Sequence, residues 1–163
     1  MSLQIIRADL AQPRHQQWTL EMMEAYSRDP MGDATPLSEY ARAHLIDNLQ
    51  AYPLAMVLLA IQAGRPVGIA TCFIGFSTFA AKRVLNLSDF YVAPELRGQG
   101  IGRRLLSAVE LAAREADCCK MALEVQQNNA VAREIYARFG LTRTAYAADA
   151  DEGGSWCMSK RLV

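Results

Sequence analysis

After an apolar segment that closes at Val92, and before an amphipathic one, stands Arg97-Gly98-Gln99-Gly100-Ile101-Gly102. Glycines let neighbouring backbone N–H groups converge on one point, and a helix start adds unpaired donors and the positive end of its dipole. Such a loop can cradle an anion. Arg103 and Arg104 fall in the first helical turn, where a cation is unfavourable by ~0.3–1 kcal/mol, and a bound phosphate beside Arg97 offsets that cost. The alternative is a plain glycine turn whose arginines point to solvent. A dinucleotide fingerprint requires glycine where Arg103 stands, and an ATP-binding P-loop requires a Gly-Lys-Ser/Thr ending that is absent.

Two carboxylates and a phenol are the other groups able to do chemistry. Period-two alternation along Val84 to Val92 puts Leu85, Leu87, Asp89 and Tyr91 on one face, with Asp89 as the polar exception. A carboxylate among apolar neighbours has a raised pKa and can attract an ammonium or accept its proton; equally, it can cap a turn or meet an arginine. Glu124, near the end of the next strand, is a reserve base. Tyr136 shares a helical face with Ala132, Ile135 and Phe139, and periodicity alone makes it a core aromatic. His15 and His44 lie on helices without partners at catalytic spacing and read as structural or surface residues. Cys72, Cys118, Cys119 and Cys157 form no C-x-x-C pair and have no metal-ligand spacing, so they read as reduced, packed thiols, with no metal expected.

The elements that must position these groups follow from pattern and punctuation. Leu3 to Arg7 is an opening strand. Pro13 starts a helix with Trp18, Met22, Ala25 and Tyr26 on one face, and Ser38 caps a second that ends at Ala51, before Pro53. Between them Asp29 to Pro36, rich in Pro, Gly and Asp, is a candidate substrate-side loop. Ala55 to Gln62 and Val67 to Phe79 form a hairpin over the turn Ala63 to Pro66, with a bulge expected at Gly75. Then come the strand Val84 to Val92, the helix Gly100 to Ala116, the strand Lys120 to Val125, and the helix Ala130 to Phe139 capped by Gly140. Strands Leu141 to Ala147 and Ser155 to Leu162 close the chain around the acidic loop Asp149 to Gly154. Antiparallel strands first and a strand-helix-strand-helix unit later imply an α/β (α+β) fold, a mixed, mostly antiparallel sheet flanked by about four helices.

Bulk properties narrow the function classes. A chain of 163 residues, 52% hydrophobic and 21% charged, suits one soluble domain. Seventeen basic residues against 17 acidic ones give no basic field for nucleic acid or anionic membrane. Met1 to Leu10 lacks the continuous apolar stretch of a secretory signal or anchor, so a cytoplasmic location is expected.

The loop and a second segment resemble the GNAT superfamily of N-acetyltransferases. Arg97, Gly100 and Gly102 match its Arg/Gln-x-x-Gly-x-Gly/Ala motif, while Asn129, Ala130 to Tyr136 and Arg138-Phe139-Gly140-Leu141 match its Asn-x-x-Ala-x-x-x-Tyr and terminal Gly-Phe pattern, with Leu141 in place of the usual Phe. The resemblance implies acetyl-CoA as co-substrate, lying between strands that splay apart after Val92 and Val125. Its pyrophosphate would sit on Gly98, Gln99, Gly100, Ile101, Gly102 and Arg103. Backbone groups of the Phe90-Tyr91-Val92 stretch would hold the pantetheine and acetyl carbonyl, with Asn129 and Ala132 on the other side.

The likeness also implies roles. Tyr136 would act as general acid toward the cofactor sulfur. Asp89 would serve the amine, because Ser88-Asp89-Phe90-Tyr91-Val92 resembles the Glu-Asp-Phe/Leu-Phe/Tyr-Val stretch of enzymes acting on small polyamine-like amines, although Ser88 departs from it. The expected reaction is direct attack by a small-molecule primary amine, with the Val92 N–H stabilising the oxyanion. A protein or peptide amine, or a non-catalytic acyl-CoA-binding module, are the alternatives. Dimerisation, common among GNAT domains, makes a homodimer the expectation from likeness.

Overall fold

The computed structural model describes residues 2–144 and 154–163. Seven strands form one sheet: β1 (Leu3–Arg7), β2 (Ala55–Gln62), β3 (Arg65–Ser77), β4 (Lys82–Val92), β5 (Cys118–Gln126), β6 (Thr142–Arg143) and β7 (Ser155–Arg161). Their order is β1-β2-β3-β4-β5-β7-β6, and every neighbouring pair is antiparallel except β4 and β5. Helices α1 (Pro13–Arg28) and α2 (Glu39–Ala51) cover one face; α3 (Ile101–Glu115) and α4 (Ala130–Phe139) cover the other. No helix among the described residues is long and apolar enough to cross a membrane.

The two faces bury separate cores. Leu105, Leu106, Val109 and Ala113 of α3 pack on Ala70, Cys72, Leu85, Leu87, Met121 and Leu123. Met22 of α1 packs on Val57, Leu59, Ile69 and Tyr91, with Trp18, Ala25, Tyr26 and Leu49 at the margin. Ser38 Oγ accepts from the Ala41 N–H at 3.1 Å and starts α2 as expected. Gly140, at φ 103°, ends α4 in the left-handed region, and the Leu141 N–H returns to the Tyr136 carbonyl at 3.0 Å.

Three local expectations are corrected. The β2–β3 turn has two residues, Ala63 and Gly64, both at positive φ, so Arg65 and Pro66 already belong to the strand. No bulge occurs at Gly75, which pairs regularly with Val84; a Cβ there would lie 2.9 Å from Asn86 Nδ2, so the glycine makes room for a cross-strand amide. The register instead shifts at Val67, where Ala60 pairs with Gly68 and Ile61 with Pro66, and at Ser88, where Thr71 pairs with Asp89 and Cys72 with Leu87. The extra residue at Ser88 breaks the alternation: Leu85 and Leu87 face α3, whereas Asp89 and Tyr91 face α1. The expected single face of Leu85, Leu87, Asp89 and Tyr91 does not exist. Of the strand expected over Leu141 to Ala147, residues 145–147 lie outside the described residues, as do residues 149–153 of the acidic loop.

Candidate active site

β4 and β5 pair in parallel from Arg83 opposite Cys118 to Leu87 opposite Leu123, where the ladder stops. Each keeps its outer neighbour further, β4 to Val92 opposite Gly68 and β5 to Gln126 opposite Ser155. The two central strands therefore part, and a cleft opens between residues 88–92 and 124–126.

Unpaired backbone lines one side of this cleft. The Ala93 N–H donates to the Val67 carbonyl at 2.9 Å, and bonded and non-bonded positions alternate along an antiparallel pair. Tyr91 and Asp89 thus turn their backbone groups toward β3, while Phe90 and Val92 turn theirs toward the cleft. Arg97 Nε takes the Val92 carbonyl at 2.9 Å, so the Val92 N–H and both backbone groups of Phe90 face the opening.

At the cleft mouth a single 3₁₀ turn, Pro94–Leu96, leads into the glycine loop. Gly98 and Gly100 have φ of 80° and 84°, and a Cβ on either would meet nothing within 4 Å. The glycines therefore serve the backbone turn and leave the space in front of it open. Gly100 caps α3 without a side-chain bond, and the Arg104 N–H is the donor to its carbonyl at 3.1 Å. The N–H groups of Ile101, Gly102 and Arg103 precede that first bond and have no intrahelical acceptor. Open space, converging donors and a helix dipole fit a pyrophosphate. Ile101 is buried beneath the loop and Gly102 packs on the Phe90 ring, while Gln99 and Arg103 are exposed. Arg104 donates to the Leu3 carbonyl at 2.8 Å. The Arg97 guanidinium turns to Asp29 instead, with Nη2 2.8 Å from Oδ2.

On the α1 side of the cleft, Thr71 Oγ1 donates to Asp89 Oδ2. Burial pushes the Asp89 carboxyl above its ordinary range, the Thr71 hydroxyl partly opposes the shift, and the nearby Asp33 carboxylate adds to it. Tyr26 is raised by burial and then by Asp89, Asp29 and Asp33, and its ring lies 5.7 Å from that of Tyr91. On the α3 side Tyr136 is buried with its ring edge-on to Phe90, centroids 5.8 Å apart. Burial lifts its phenol well above the usual range, with Tyr26 adding to the shift. No hydrogen bond among the described residues engages the Tyr136 hydroxyl. Asn129 Oδ1 caps α4 by accepting from the Ala132 N–H at 3.2 Å. Glu124 projects to the same face as Asp89 but is exposed, 4.0 Å from Cys157 Sγ. His15 Nδ1 accepts from the Asp9 N–H at 2.9 Å and the His44 ring stacks on Tyr40, both away from the cleft. The described residues contain no cluster of His, Cys, Asp or Glu able to hold a metal ion.

A splayed parallel pair beside a glycine loop that opens a helix is the arrangement expected from the motifs, and the model of the acetyltransferase (GNAT) family matches residues 17–141. The chain belongs to that family. The Bacillus subtilis (strain 168) N-acetyltransferase YhfO is 31% identical over 86 residues, 53% of this chain and 58% of its own. The Bos taurus thialysine N-epsilon-acetyltransferase is 28% identical over 134 residues, 78% of this chain and 75% of its own. A solved structure described as a probable acetyltransferase has the same fold, with a TM-score of 0.77 at 23% identity over 88% of this chain and 92% of that one. The chain thus spans little more than half the length of the first of these relatives.

Around this cleft the structure also gathers Thr71, Asp29, Asp33 and Tyr26, which the motifs do not mark. Thr71 carried a signal, a lone polar residue inside the apolar run Ile69 to Phe73. Asp29 and Asp33 lie in the Pro-, Gly- and Asp-rich segment 29–36, where nothing in the sequence sets these two apart. Tyr26 was assigned to the apolar face of α1, which it also serves.

Proposed function

We propose that this chain transfers the acetyl group of acetyl-CoA to a primary amine of a small cationic molecule. The observation that carries this reading is Asp89, a half-buried carboxylate that has, among the described residues, a hydroxyl but no cation as partner, at the rim of the cleft opposite Tyr136. A site that keeps a carboxylate without a counter-ion favours a ligand that brings its own positive charge. Similarity to the bovine thialysine N-epsilon-acetyltransferase supports an amine at the end of an alkyl chain.

Bound acetyl-CoA supplies an activated acetyl thioester. The residues of the chain do the rest. The loop N–H groups from Gly98 to Arg103 hold the pyrophosphate, and the backbone of Phe90 holds the pantetheine. The Val92 N–H donates to the acetyl oxygen as negative charge grows there. Asp89 attracts the ammonium, whose pKa is about 10 in water, and accepts a proton from it, exposing the lone pair that attacks the carbonyl carbon. A C–N bond forms and the C–S bond breaks; of the two protons the ammonium loses, one ends on the thiol and one in solvent.

Tyr136 acts at the sulfur by donating a hydrogen bond. Its phenol, already weaker than a thiol of pKa about 8.5 and weakened further by burial, keeps its own proton at neutral pH. Glu124 is exposed, whereas Asp89 is half-buried at the cleft, so Asp89 is the base in this scheme. The cytoplasmic location and the homodimer belong to the same proposal.

The test is thiol release from acetyl-CoA against thialysine, polyamines, lysine, aminoglycosides and peptides. Turnover with small diamines or thialysine is expected. Turnover with peptides alone would favour the protein-acetylating alternative, and acetyl-CoA binding without turnover would favour the non-catalytic one.

A further inference from the structure

Asp29 is buried, with 8% of its surface exposed, at the point where α1 gives way to the loop of residues 29–36. Its Oδ1 accepts from the Met31 N–H at 2.9 Å, and its Oδ2 meets Arg97 Nη2 at 2.8 Å. Arg97 is the first residue of the pyrophosphate loop, and its Nε holds the Val92 carbonyl at the cleft edge. One guanidinium therefore joins three things: the strand that borders the cleft, the loop that meets the anion, and the loop bearing Asp33. The Arg97 guanidinium also lies over the Tyr91 ring at 5.6 Å, and Tyr91 meets Tyr26 on α1 at 5.7 Å, a second link between the same two regions.

The 29–36 loop is folded back tightly on α1. The Gly32 N–H donates to the Asp29 carbonyl at 2.9 Å and the Thr35 N–H to the Ser27 carbonyl at 3.1 Å. A Cβ on Gly32 would lie 2.2 Å from the Tyr26 carbonyl oxygen, so this close approach admits only glycine. The loop has no buried apolar side chain of its own, and Asp29 is its one buried residue. Among the described residues, the ion pair of Asp29 with Arg97 is what ties this loop, otherwise held on α1, to the cleft-edge strand and the glycine loop.

We propose that Arg97 and Asp29 are positioning residues that couple the cofactor loop to the acceptor loop, so that filling the pyrophosphate cradle fixes Asp33 beside Asp89 and tightens the site for the amine. The proposal rests on the acetyl-CoA and amine reading above. Arg97, whose motif position pointed to the phosphates, spends its backbone N–H on the Pro94 carbonyl and its side chain on Val92 and Asp29, so it acts by holding the loop that follows it.

The test combines hydrogen exchange with steady-state kinetics on the full chain, wild type and Asp29→Asn, with CoA as the probe. Asn retains an acceptor for the Met31 N–H and removes only the charge. In the wild type, saturating CoA slows exchange of the Gly32 and Thr35 amides roughly tenfold, within the usual range for coupled sites, and in Asp29→Asn that protection is lost. The amine KM of Asp29→Asn rises by roughly the same tenfold factor while its acetyl-CoA KM stays within about threefold. Arg97→Lys, which keeps the charge, restores more of the amine KM than Arg97→Gln, and Asp29→Asn combined with Arg97→Gln is no worse than the poorer single variant. CoA that binds the wild type yet leaves loop exchange unchanged overturns the coupling alone. A protein that binds no CoA overturns both readings. Variants that lose turnover with an unchanged amine KM would make the pair a brace for folding and contradict the proposal.

Discussion

Asp29 and Asp89 both lie on the α1 side of the sheet, one buried and one half-buried, and their surroundings drive them in opposite directions. At Asp29 burial works to raise the pKa, but the Met31 N–H and the Arg97 guanidinium outweigh it and hold the carboxyl below its ordinary range. At Asp89 burial wins: one hydroxyl, from Thr71, opposes it, and Asp33 reinforces it. Under the proposed function, the same side chain is a joint where its charge is matched and a reactive group where the match is left incomplete. Incomplete matching costs stability, and in that proposal the charge of the bound amine offsets the cost.

The largest effect that sharpens the contrast is on catalysis. Asp89→Asn should lower amine kcat/KM by roughly 10²- to 10⁴-fold, the usual contribution of a general base, and in thermal melts at pH 7 it should be no less stable than the wild type. Equal activity would move attention to Glu124. Next is Tyr136→Phe, expected to slow turnover by roughly 10- to 100-fold, the worth of a hydrogen bond to a charged group, with acetyl-CoA KM unchanged. Gly32→Ala should destabilise the protein by ~1–3 kcal/mol through overpacking against the Tyr26 carbonyl, measured by denaturant unfolding.

The smallest effects concern pH and follow from the opposite signs. Asp29, with its folded pKa lowered, stabilises the fold above its unfolded value of about 3.9, and that stability is lost as pH falls through the folded value. Asp89, with its folded pKa raised, favours the fold at low pH, and that contribution is lost as pH rises through the folded value. Melting temperature against pH should therefore lose its acid limb in Asp29→Asn and gain at neutral pH in Asp89→Asn. Thr71→Val removes the hydroxyl bond that lowers Asp89, so the acid limb of amine kcat/KM should move to higher pH.

Local signals carried much of this. Glycine spacing marked the loop that opens α3, Ser38 and Gly140 marked helix ends, and the amphipathic segment after that loop is α3, which buries Ile101, Leu105, Val109 and Ala112. What escaped is what only pairing decides. Strict alternation along β4 predicts one face for Leu87 and Asp89, yet the extra residue at Ser88 arises from the register with β3 and turns Asp89 toward α1. Gly75 has the composition of a bulge and serves cross-strand packing instead. The Asp29–Arg97 pair joins positions 68 residues apart, which no window along the chain can see.

The most direct test of the central claim is the pH profile of amine kcat/KM with acetyl-CoA in the wild type and Asp89→Asn. With Asp89 as the base, the wild-type profile should rise through a limb above the ordinary carboxylate range and then level. The Asp89→Asn profile should instead climb steadily toward the pKa of the free amine, about 10. Identical profiles in the two proteins would contradict the assignment of Asp89 as the group that receives the proton.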